Sequence, residues 1–403
     1  MRAGLFFLFL AIVGCKSKTH DPPIFSGEEL VVEVRTVNLA VAPGVIHLAT
    51  PRISAIAEEI SQMSETGIIC FEELWTQESK DAVIKALGPK MHVFYVDTLG
   101  ENQRDGESVC SLSQAKRAIS CARKNCGDLP DEEQTICVVE QCADELFLIR
   151  LRGGEQCLHC LVASVGKSID GIVEACVQPD NQPLIAGASR AFGGQNGVLV
   201  ASRWPLLNVE ALRLRASFSN RVALFATVMM PEGYEYVEVA CTHISTETPL
   251  QPNHPDFSSW DEEMIAQIED ISKRLKERAG NRPSLFLGDM NTGPAAGEWI
   301  SAEMPKVWKR IIELGFYSSA MDVADPLFCT MCLSNTLRLK SAKNTIIDHI
   351  LVRDPSGGSQ LEPISAHPFF DEIRRFAGYR GEPVQKHLSD HYGVVVNFRL
   401  HKN

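Results

Sequence analysis

The stretch SLFLGDMN, residues 284–291, decides the fold class of this chain. Its first four residues predict a short buried strand, and Gly288 permits a tight turn directly after that strand. Asp289 and Asn291 follow two positions apart, where a rigid sheet can hold them beside a loop. An aspartate can orient or deprotonate a water molecule, and an asparagine can donate to an oxygen that gains negative charge. The stretch therefore predicts a catalytic site at a sheet edge.

Two other apolar strands end in polar side chains in the same way. IICFEELW, residues 68–75, places Glu72 and Glu73 after a buried strand, and Mg²⁺ prefers oxygen ligands of this kind. VEVACTH, residues 237–243, ends in His243, which can bind a phosphate oxygen when it is protonated. Each stretch alone also fits an ordinary solvated or core side chain, so neither is decisive by itself.

A fourth pattern links two segments near the carboxyl end. TIIDHIL, residues 345–351, carries Asp348 inside an apolar run, and aspartate is depleted from strands unless it has a partner. HLSDHY, residues 387–392, supplies Asp390 and His391 just before a final apolar run. A carboxylate that fixes the tautomer of a histidine is such a partner, so we expect Asp348 to lie beside His391.

Strand-like and helical segments alternate along most of the chain. A helix is predicted over Pro51–Met63, with Thr50 as its N-cap and Pro51 at its first position. A mixture of this kind predicts a layered α/β protein, with two sheets covered by helices. The predicted strands are Leu30–Leu39, Gly67–Phe71, Met91–Val96, Gly197–Ser202, Arg221–Met229, Tyr234–Thr242, Ser284–Leu287, Thr345–Val352 and Tyr392–Leu400. The other predicted helices are Thr76–Leu87, Ser258–Ala279 and Gly297–Leu314.

The amino terminus has the pattern of an export signal. Arg2 precedes the apolar run Leu5–Val13, which has signal-peptide length and is too short to span a bilayer. The run ends in Ile12-Val13-Gly14-Cys15, which resembles a bacterial lipobox. We therefore expect a signal peptide over 1–14, a lipidated Cys15 in a polar tether over 15–28, and an outer-membrane or cell-surface location. The alternative is a plain secretory signal with an incidental cysteine.

A cysteine-rich block, residues 107–182, interrupts the alternation. Its composition is helical, and the oxidising environment of an exported protein favours disulfides. The symmetry of four cysteines about the turn Gly127–Pro130 suggests a hairpin with nested bridges, Cys126 to Cys137 and Cys121 to Cys142. Residues five apart on a helix point about 140° apart, so one rung requires a distorted helix. The cysteines of the block are Cys110, Cys121, Cys126, Cys137, Cys142, Cys157, Cys160 and Cys176.

Zinc is the alternative use of these cysteines, because Cys157 and Cys160 have the spacing of zinc ligands. Cys329 and Cys332 could form a tight structural bridge or a redox pair, and a structural role is favoured because no thioredoxin-like pattern surrounds them. Cys70 and Cys241 lie in apolar strands and are expected to be small buried thiols.

The order of the motifs resembles that of the endonuclease/exonuclease/phosphatase superfamily, which includes deoxyribonucleases, inositol polyphosphate phosphatases and neutral sphingomyelinases. The resemblance covers about Val31 to Leu400 except the cysteine-rich block, and the implied domain spans residues 29–403. Residues 72–78, EELWTQE, look most like the neutral sphingomyelinase branch, although Glu72 stands where the family often has Gln or Asn. The motifs that carry the resemblance are VRTVNLA, ICFEELW, GQNGVLVASRWP, ACTHIS, LFLGDMN, IIDHILV and LSDHYGVVV.

The resemblance implies a four-layer α-β-β-α sandwich of two mixed sheets with an inserted helical subdomain. It implies Mg²⁺ as cofactor, with Mn²⁺ as the alternative, and no covalent nucleophile. The implied metal-binding residues are Glu73 as main ligand, with Asn38 and Asp390 beside the ion. The implied catalytic residues are Asp289 for the attacking water, Asn291 and His243 for the phosphate, His391 for phosphate contact or acid/base chemistry, and Asp348 to orient His391.

These inferences predict a monomeric, lipid-anchored phosphodiester hydrolase. The formal net charge of −12 provides no broad surface for nucleic acid, so a phospholipid head group and a nucleic acid both stay open as substrates. The alternative is a non-catalytic surface module that binds a partner through the cysteine-rich block.

Overall fold

The computed structural model describes residues 29–63, 66–97, 103–108, 110–180, 186–188, 190–248, 253–338, 343–354 and 361–401. The expected signal peptide, Cys15 and the tether lie outside these residues. Within them, no helix combines the length and apolarity needed to cross a membrane.

The chain folds into eighteen strands and ten α-helices within these ranges. The strands are β1 Glu29–Val41, β2 Ile68–Leu74, β3 His92–Tyr95, β4 Gln103–Ser108, β5 Cys110–Ser111, β6 Val177–Gln178, β7 Ala186–Ala188, β8 Leu199–Ser202, β9 Leu206–Leu214, β10 Arg221–Val228, β11 Val237–His243, β12 Ser284–Asp289, β13 Tyr317–Ser318, β14 Asp348–Arg353, β15 Leu361–Phe369, β16 Ile373–Ala377, β17 Pro383–His387 and β18 Gly393–His401. The helices are α1 Ala49–Ser61, α2 Gln77–Leu87, α3 Leu112–Cys126, α4 Asp131–Gln141, α5 Ala143–Leu151, α6 Glu155–Ala163, α7 Ile169–Cys176, α8 Trp260–Ala279, α9 Pro305–Glu313 and α10 Ser319–Val323.

Two six-stranded sheets form the body of the protein. The first has the order β15-β18-β1-β2-β8-β3, and the second has the order β13-β14-β12-β11-β10-β9. β1 pairs with β2 in parallel, and β11 pairs with β12 in parallel, while their other neighbours are antiparallel. The carboxyl ends of these four strands can therefore meet the amino ends of β10, β14 and β18 at one edge.

The alternation of side chains along the strands produces four layers. One apolar cluster lies between the sheets and includes Val34, Val200 and Leu287. On the outer face of the first sheet, Ile53 and Ile56 of α1 pack against strand residues. Helices α8 and α9 cover the second sheet through another buried cluster. The structure confirms the predicted α-β-β-α sandwich, because each sheet buries one face against the other sheet and one against helices.

Two predicted helix boundaries are wrong. Leu48 is the N-cap of α1, in a left-handed conformation and without a side-chain cap, so Thr50 lies inside the helix. Its hydroxyl and backbone N–H instead bind Glu132 of the insertion. The predicted helix Gly297–Leu314 begins only at Pro305, since residues 293–303 form short bridges in which Gly293 pairs with Glu303.

The cysteine-rich block is helical as predicted and comprises α3 to α7. Cys121 binds Cys142 and Cys126 binds Cys137, which confirms the nested bridges. The geometric objection is resolved at Cys142, because this residue lies at a non-helical break between α4 and α5. The remaining bridges of the block are Cys110–Cys157 and Cys160–Cys176, so the zinc alternative is wrong.

The expectation for Cys70 and Cys241 is also wrong. The two residues form a disulfide with Cα atoms 5.5 Å apart. They lie on facing strands of the two sheets and are fully buried in the shared core. Each strand alone resembles any apolar strand, and only the packing of one sheet on the other brings the two thiols together.

Candidate active site

The structure brings the predicted catalytic and metal-binding residues together at one edge of the sandwich. Asn38 and Glu73 lie near the carboxyl ends of β1 and β2, while His243 and Asp289 end β11 and β12. The side-chain amide of Asn38 donates to Asp289 Oδ2 at 3.1 Å, so the two sheets are hydrogen-bonded to each other at this edge.

Asp348 and His391 form the pair predicted from the two carboxyl-terminal motifs. His391 Nδ1 lies 2.8 Å from Asp348 Oδ2, and both side chains are buried. Burial lowers the pKa of His391, but Asp348 and Asp390 outweigh it and hold that pKa well above its usual value. His391 is therefore an imidazolium whose Nε2 faces Asp289 Oδ2 at 3.9 Å and Asp390 Oδ1 at 4.0 Å.

Asp289 is the central carboxylate of the edge. Burial and the nearby Asp348 raise its pKa to about 7. Its Oδ1 accepts the backbone N–H of Asn291 at 2.8 Å, and Asn291 has a positive φ of 47°. The side chain of Asn291 donates to Ile244 O at 3.0 Å. A carboxyl that titrates near neutral pH can accept a proton from water.

Gly288 is needed for a reason other than the predicted turn. It lies inside β12 and pairs with Thr242 of β11. A Cβ atom at this position would meet Thr242 O at 1.8 Å, so only glycine lets the two strands approach closely enough. This close approach places His243 beside Asp289, with His243 Nε2 3.4 Å from Asp289 Oδ2.

The two adjacent glutamates have different environments. Glu72 is fully buried, accepts a hydrogen bond from Thr36 at 2.8 Å, and has one carboxyl oxygen without a partner. Burial and Asp348 raise the pKa of Glu72 well above its usual value, which favours the neutral carboxyl. Glu73 is partly exposed at the edge and has a φ of 59°. Strained backbone of this kind is concentrated at functional sites.

Sequence reasoning missed Arg221, which opens β10. Its guanidinium lies over the ring of Trp75, 5.5 Å from the centroid, and acts electrostatically on Glu73 and Asp289. Because β10 runs antiparallel to β11, β10 begins at the edge where β11 ends. An arginine at the start of an apolar strand is therefore the sequence signal that could have identified Arg221. Burial, Arg221 and His391 lower the pKa of His243 well below its usual value, so His243 is neutral here.

Two buried polar side chains, Arg52 and Ser389, hold the segments behind this edge together. Arg52 of α1 donates to the carbonyls of Leu39, Ala40 and Leu388. Ser389 donates to Asn38 O at 2.6 Å, which joins the segment before β18 to β1.

The segment between Cys329 and Cys332 supports the Asp348–His391 pair. These cysteines form a disulfide, and Thr330 between them accepts the backbone N–H of Asp348 at 3.2 Å. Thr330 O also accepts the N–H of Tyr392, the residue after His391. These contacts favour the structural role that the sequence predicts for this bridge.

The donor set of the edge fits a hard divalent cation. Glu73 and Asp390 present carboxylate oxygens, the ligand type that Mg²⁺ and Mn²⁺ prefer. Burial and the neighbouring Asp390 raise the pKa of Glu73, a repulsion that a cation would relieve. The side-chain N–H of Asn38 orients Asp289, while its amide oxygen accepts the N–H of Ala40 at 2.9 Å and keeps a second lone pair that a cation could use.

This fold and this edge define the chain as a member of a hydrolase family. The model of the endonuclease/exonuclease/phosphatase family matches residues 48–391, and the chain belongs to that family. Its members are hydrolases that act on phosphoester bonds. A comparison with curated protein sequences found no match.

Solved structures show the same fold at low sequence identity. Sphingomyelinase C from Streptomyces griseocarneus is 12% identical with a TM-score of 0.53, and the match covers 91% of this chain and 99% of that one. Beta toxin from Staphylococcus aureus gives the same four values. A mannosyl-6-phosphatase from Bacteroides thetaiotaomicron is 13% identical with a TM-score of 0.50, over 91% of this chain and 99% of that one.

Proposed function

We propose that this protein is a Mg²⁺-dependent phosphodiester hydrolase in which water attacks the phosphorus directly. The observation that carries the proposal is the convergence of Glu73, Asp289 and the Asp348–His391 pair at one sheet edge. Glu73 and Asp390 would hold the cation, with Asn38 beside them. When bound, the cation supplies charge neutralisation at the phosphoryl and leaving oxygens.

The residues of the chain divide the proton transfers between them. Asp289 orients the attacking water and accepts its proton, which suits a carboxyl whose pKa is about 7. His391 holds its Nδ1 proton against Asp348 and directs its Nε2 proton at the phosphate or at the leaving oxygen. The new P–O bond to water forms as the ester P–O bond breaks, so one proton is gained at Asp289 and one is given by His391.

Three polar groups bind the phosphate and steady its charge. Neutral His243 can donate through one ring nitrogen, and its Nδ1 has no hydrogen-bond partner among the described residues. Asn291 is held next to Asp289 by its backbone N–H, which donates to Oδ1. Arg221 adds a buried positive charge that acts on Glu73 and Asp289. Fixed donors of this kind stabilise charge that develops in the transition state.

Hydrolysis of bis(4-nitrophenyl) phosphate tests the proposed chemistry. With excess Mg²⁺ we expect nitrophenolate release that chelation by EDTA abolishes and Mg²⁺ or Mn²⁺ restores. His391→Ala should lose most of this activity, because the chain then lacks its imidazolium. Full activity in the His391→Ala protein, or turnover indifferent to EDTA, would refute the mechanism.

We also propose export and anchoring through Cys15, which places the enzyme on the outer membrane or cell surface as a monomer. Six disulfides in the described part of the chain support an oxidising compartment. Growth of expressing bacteria with labelled palmitate should label the wild type, whereas Cys15→Ser should stay unlabelled. Equal labelling of the two proteins would contradict the anchor.

Two substrate classes fit this chemistry. The net charge of −12 and the structural likeness to a sphingomyelinase C favour a phospholipid head group over nucleic acid. Parallel assays on sphingomyelin and plasmid DNA at saturating Mg²⁺ separate the classes, and we expect faster cleavage of the lipid.

A further inference from the structure

A cavity of about 630 Å³ lies between the insertion and the catalytic edge. Glu73, Arg221 and Asp390 line one end of it, next to the rings of Trp75 and Phe192. All five helices of the insertion contribute side chains to the rest of the wall. The cavity is therefore continuous with the catalytic site, and the cysteine-rich block forms much of its enclosure.

The wall that the insertion supplies is almost entirely aliphatic. Ile119 of α3, Ile136 of α4, Leu161 of α6 and Ile172 of α7 are representative of it. Glu140 is the one charged side chain that helices α3 to α7 place in the lining within the described residues. Protein interiors contain few voids larger than a water molecule, whereas ligand pockets of about 300–1,000 Å³ are lined mainly by apolar side chains. The dimensions and chemistry are those of a ligand pocket.

Polar contacts at the rim fix the insertion against the sandwich. Glu133 accepts from the backbone N–H of Leu48 at 2.8 Å and binds His47 Nδ1 at 2.5 Å. The hydroxyl of Tyr379, in the β16–β17 hairpin, donates to the same carboxylate at 3.0 Å.

The backbones of the two parts also touch directly. A Cβ atom at Gly44 would lie 2.3 Å from Gly166 N, so the loop before α1 packs without space against the segment after α6. The insertion is thus closely docked at its rim while its aliphatic side chains leave a cavity inside.

We propose that this cavity binds a single hydrocarbon chain of the substrate while the attached phosphodiester occupies the catalytic edge. The proposal rests on the proposed phosphodiesterase function and narrows the substrate to an amphiphile of the lysophospholipid type. The carboxylates and Arg221 suit a phosphate and its cation, whereas a base or sugar would find few hydrogen-bonding groups along the aliphatic wall. At about 30 Å³ for each water-sized group, the cavity has room for about twenty such groups, which suits one chain rather than two.

A chain-length series of alkyl 4-nitrophenyl phosphates, used below their micelle concentrations, tests the proposal. Full burial of one methylene corresponds to about a fourfold gain in kcat/KM. Since part of the chain stays near the mouth, we expect the dodecyl ester to exceed the ethyl ester by about 100-fold or more. Ethyl and dodecyl esters that react equally well would overturn the proposal.

A pair of variants on α7 ties this gain to the cavity. Ile172→Trp places a large side chain in the lining and should lower the dodecyl-to-ethyl ratio of kcat/KM by about tenfold or more. Glu174→Trp adds the same side chain at an exposed position of the same helix and should leave the ratio as in the wild type. Equal ratios in the two variants would contradict the assignment of the cavity.

Binding of dodecyl phosphocholine, measured by isothermal titration below its micelle concentration, separates this proposal from the proposed function. If no ester is hydrolysed but the detergent binds the wild type and Glu174→Trp more tightly than Ile172→Trp, the phosphodiesterase fails and the hydrocarbon site stands. If the esters are hydrolysed without a chain-length effect and the detergent does not bind, the hydrocarbon site fails and the phosphodiesterase stands. Efficient cleavage of plasmid DNA together with that second result would assign the substrate to nucleic acid.

Discussion

The catalytic edge joins residues that lie far apart in the chain, such as Ser389 and Asn38, which are 351 positions apart. The bridges within the insertion join residues only 11 to 47 apart. The sandwich holds its geometry through strand register and a large shared core, whereas the insertion has small separate apolar clusters and depends on cross-links. Because the two regions are stabilised differently, we expect that the activity of the catalytic edge and the stability of the insertion can be changed independently.

The largest expected effect comes from Glu73→Gln at the catalytic edge. Removing a charge that serves the metal and the transition state should lower the turnover of bis(4-nitrophenyl) phosphate by about 100- to 1,000-fold. Glu72→Gln is the matched control, because burial favours the neutral form of Glu72 and glutamine has nearly the same shape. We expect Glu72→Gln to keep most of the activity. An equal loss of turnover in the two variants would contradict the different roles assigned to Glu72 and Glu73.

In the insertion, the corresponding perturbation is removal of the Cys121–Cys142 bridge. The double variant Cys121→Ala/Cys142→Ala should destabilise α3 and α4 by about 3 kcal/mol, because the unfolded hairpin regains chain entropy. Hydrogen exchange of the amides in these helices measures the loss. Turnover of bis(4-nitrophenyl) phosphate should stay close to that of the wild type. A large fall in turnover without faster amide exchange would contradict the expectation that the insertion and the catalytic edge are independent.

Asp348→Asn tests the coupling inside the catalytic edge with a smaller effect. An asparagine can still accept from His391 but has no charge, so we expect turnover to fall by about 10- to 100-fold. Asp348 raises the pKa of His391, and its removal lowers that pKa. If the imidazolium is the active form, activity is then lost at a lower pH as the pH rises. The pH profile of kcat should show its alkaline limb shifted to lower pH, and an unshifted limb would contradict this role for Asp348.

The sequence predicts the residues of the catalytic edge better than it predicts the contacts that depend on strand pairing and packing. Asp289 ends β12, Asp348 begins β14 and His391 lies just before β18. Each position is marked by a neighbouring apolar run, and the strand ends of the two packed sheets meet at this edge. The sequence did not reveal the role of Arg221, because that role depends on β10 running antiparallel to β11. The local sequence pattern does not specify this pairing. The neutral state of His243 likewise depends on burial and on Arg221, which are properties of the packed structure.

Disulfide connectivity shows the same limit. The pairs Cys121–Cys142 and Cys126–Cys137 follow from symmetry about a turn, because a helical hairpin makes local neighbours of them. Cys70 and Cys241 are 171 residues apart and meet only through the packing of the two sheets. The aliphatic cavity is also invisible in the sequence, since side chains that line a pocket and side chains that fill a core have the same helical spacing.

The smallest expected effects, at two helix N-caps, ask whether the sandwich and the insertion unfold together. Thr76 caps α2 by accepting the N–H of Ser79 at 3.1 Å, and Ser168 caps α7 by accepting the N–H of Gly171 at 3.1 Å. Replacement of either capping residue by alanine should cost about 1 kcal/mol.

Because the insertion has its own small cores, we expect it to open locally before the sandwich unfolds. Thr76→Ala should then lower the free energy of global unfolding in urea, whereas Ser168→Ala should leave it unchanged and speed amide exchange in α7 by about fivefold. Equal losses of global stability in the two variants would mean that the insertion and the catalytic domain form one cooperative unit, and the bridges of the insertion would then stabilise the catalytic edge as well.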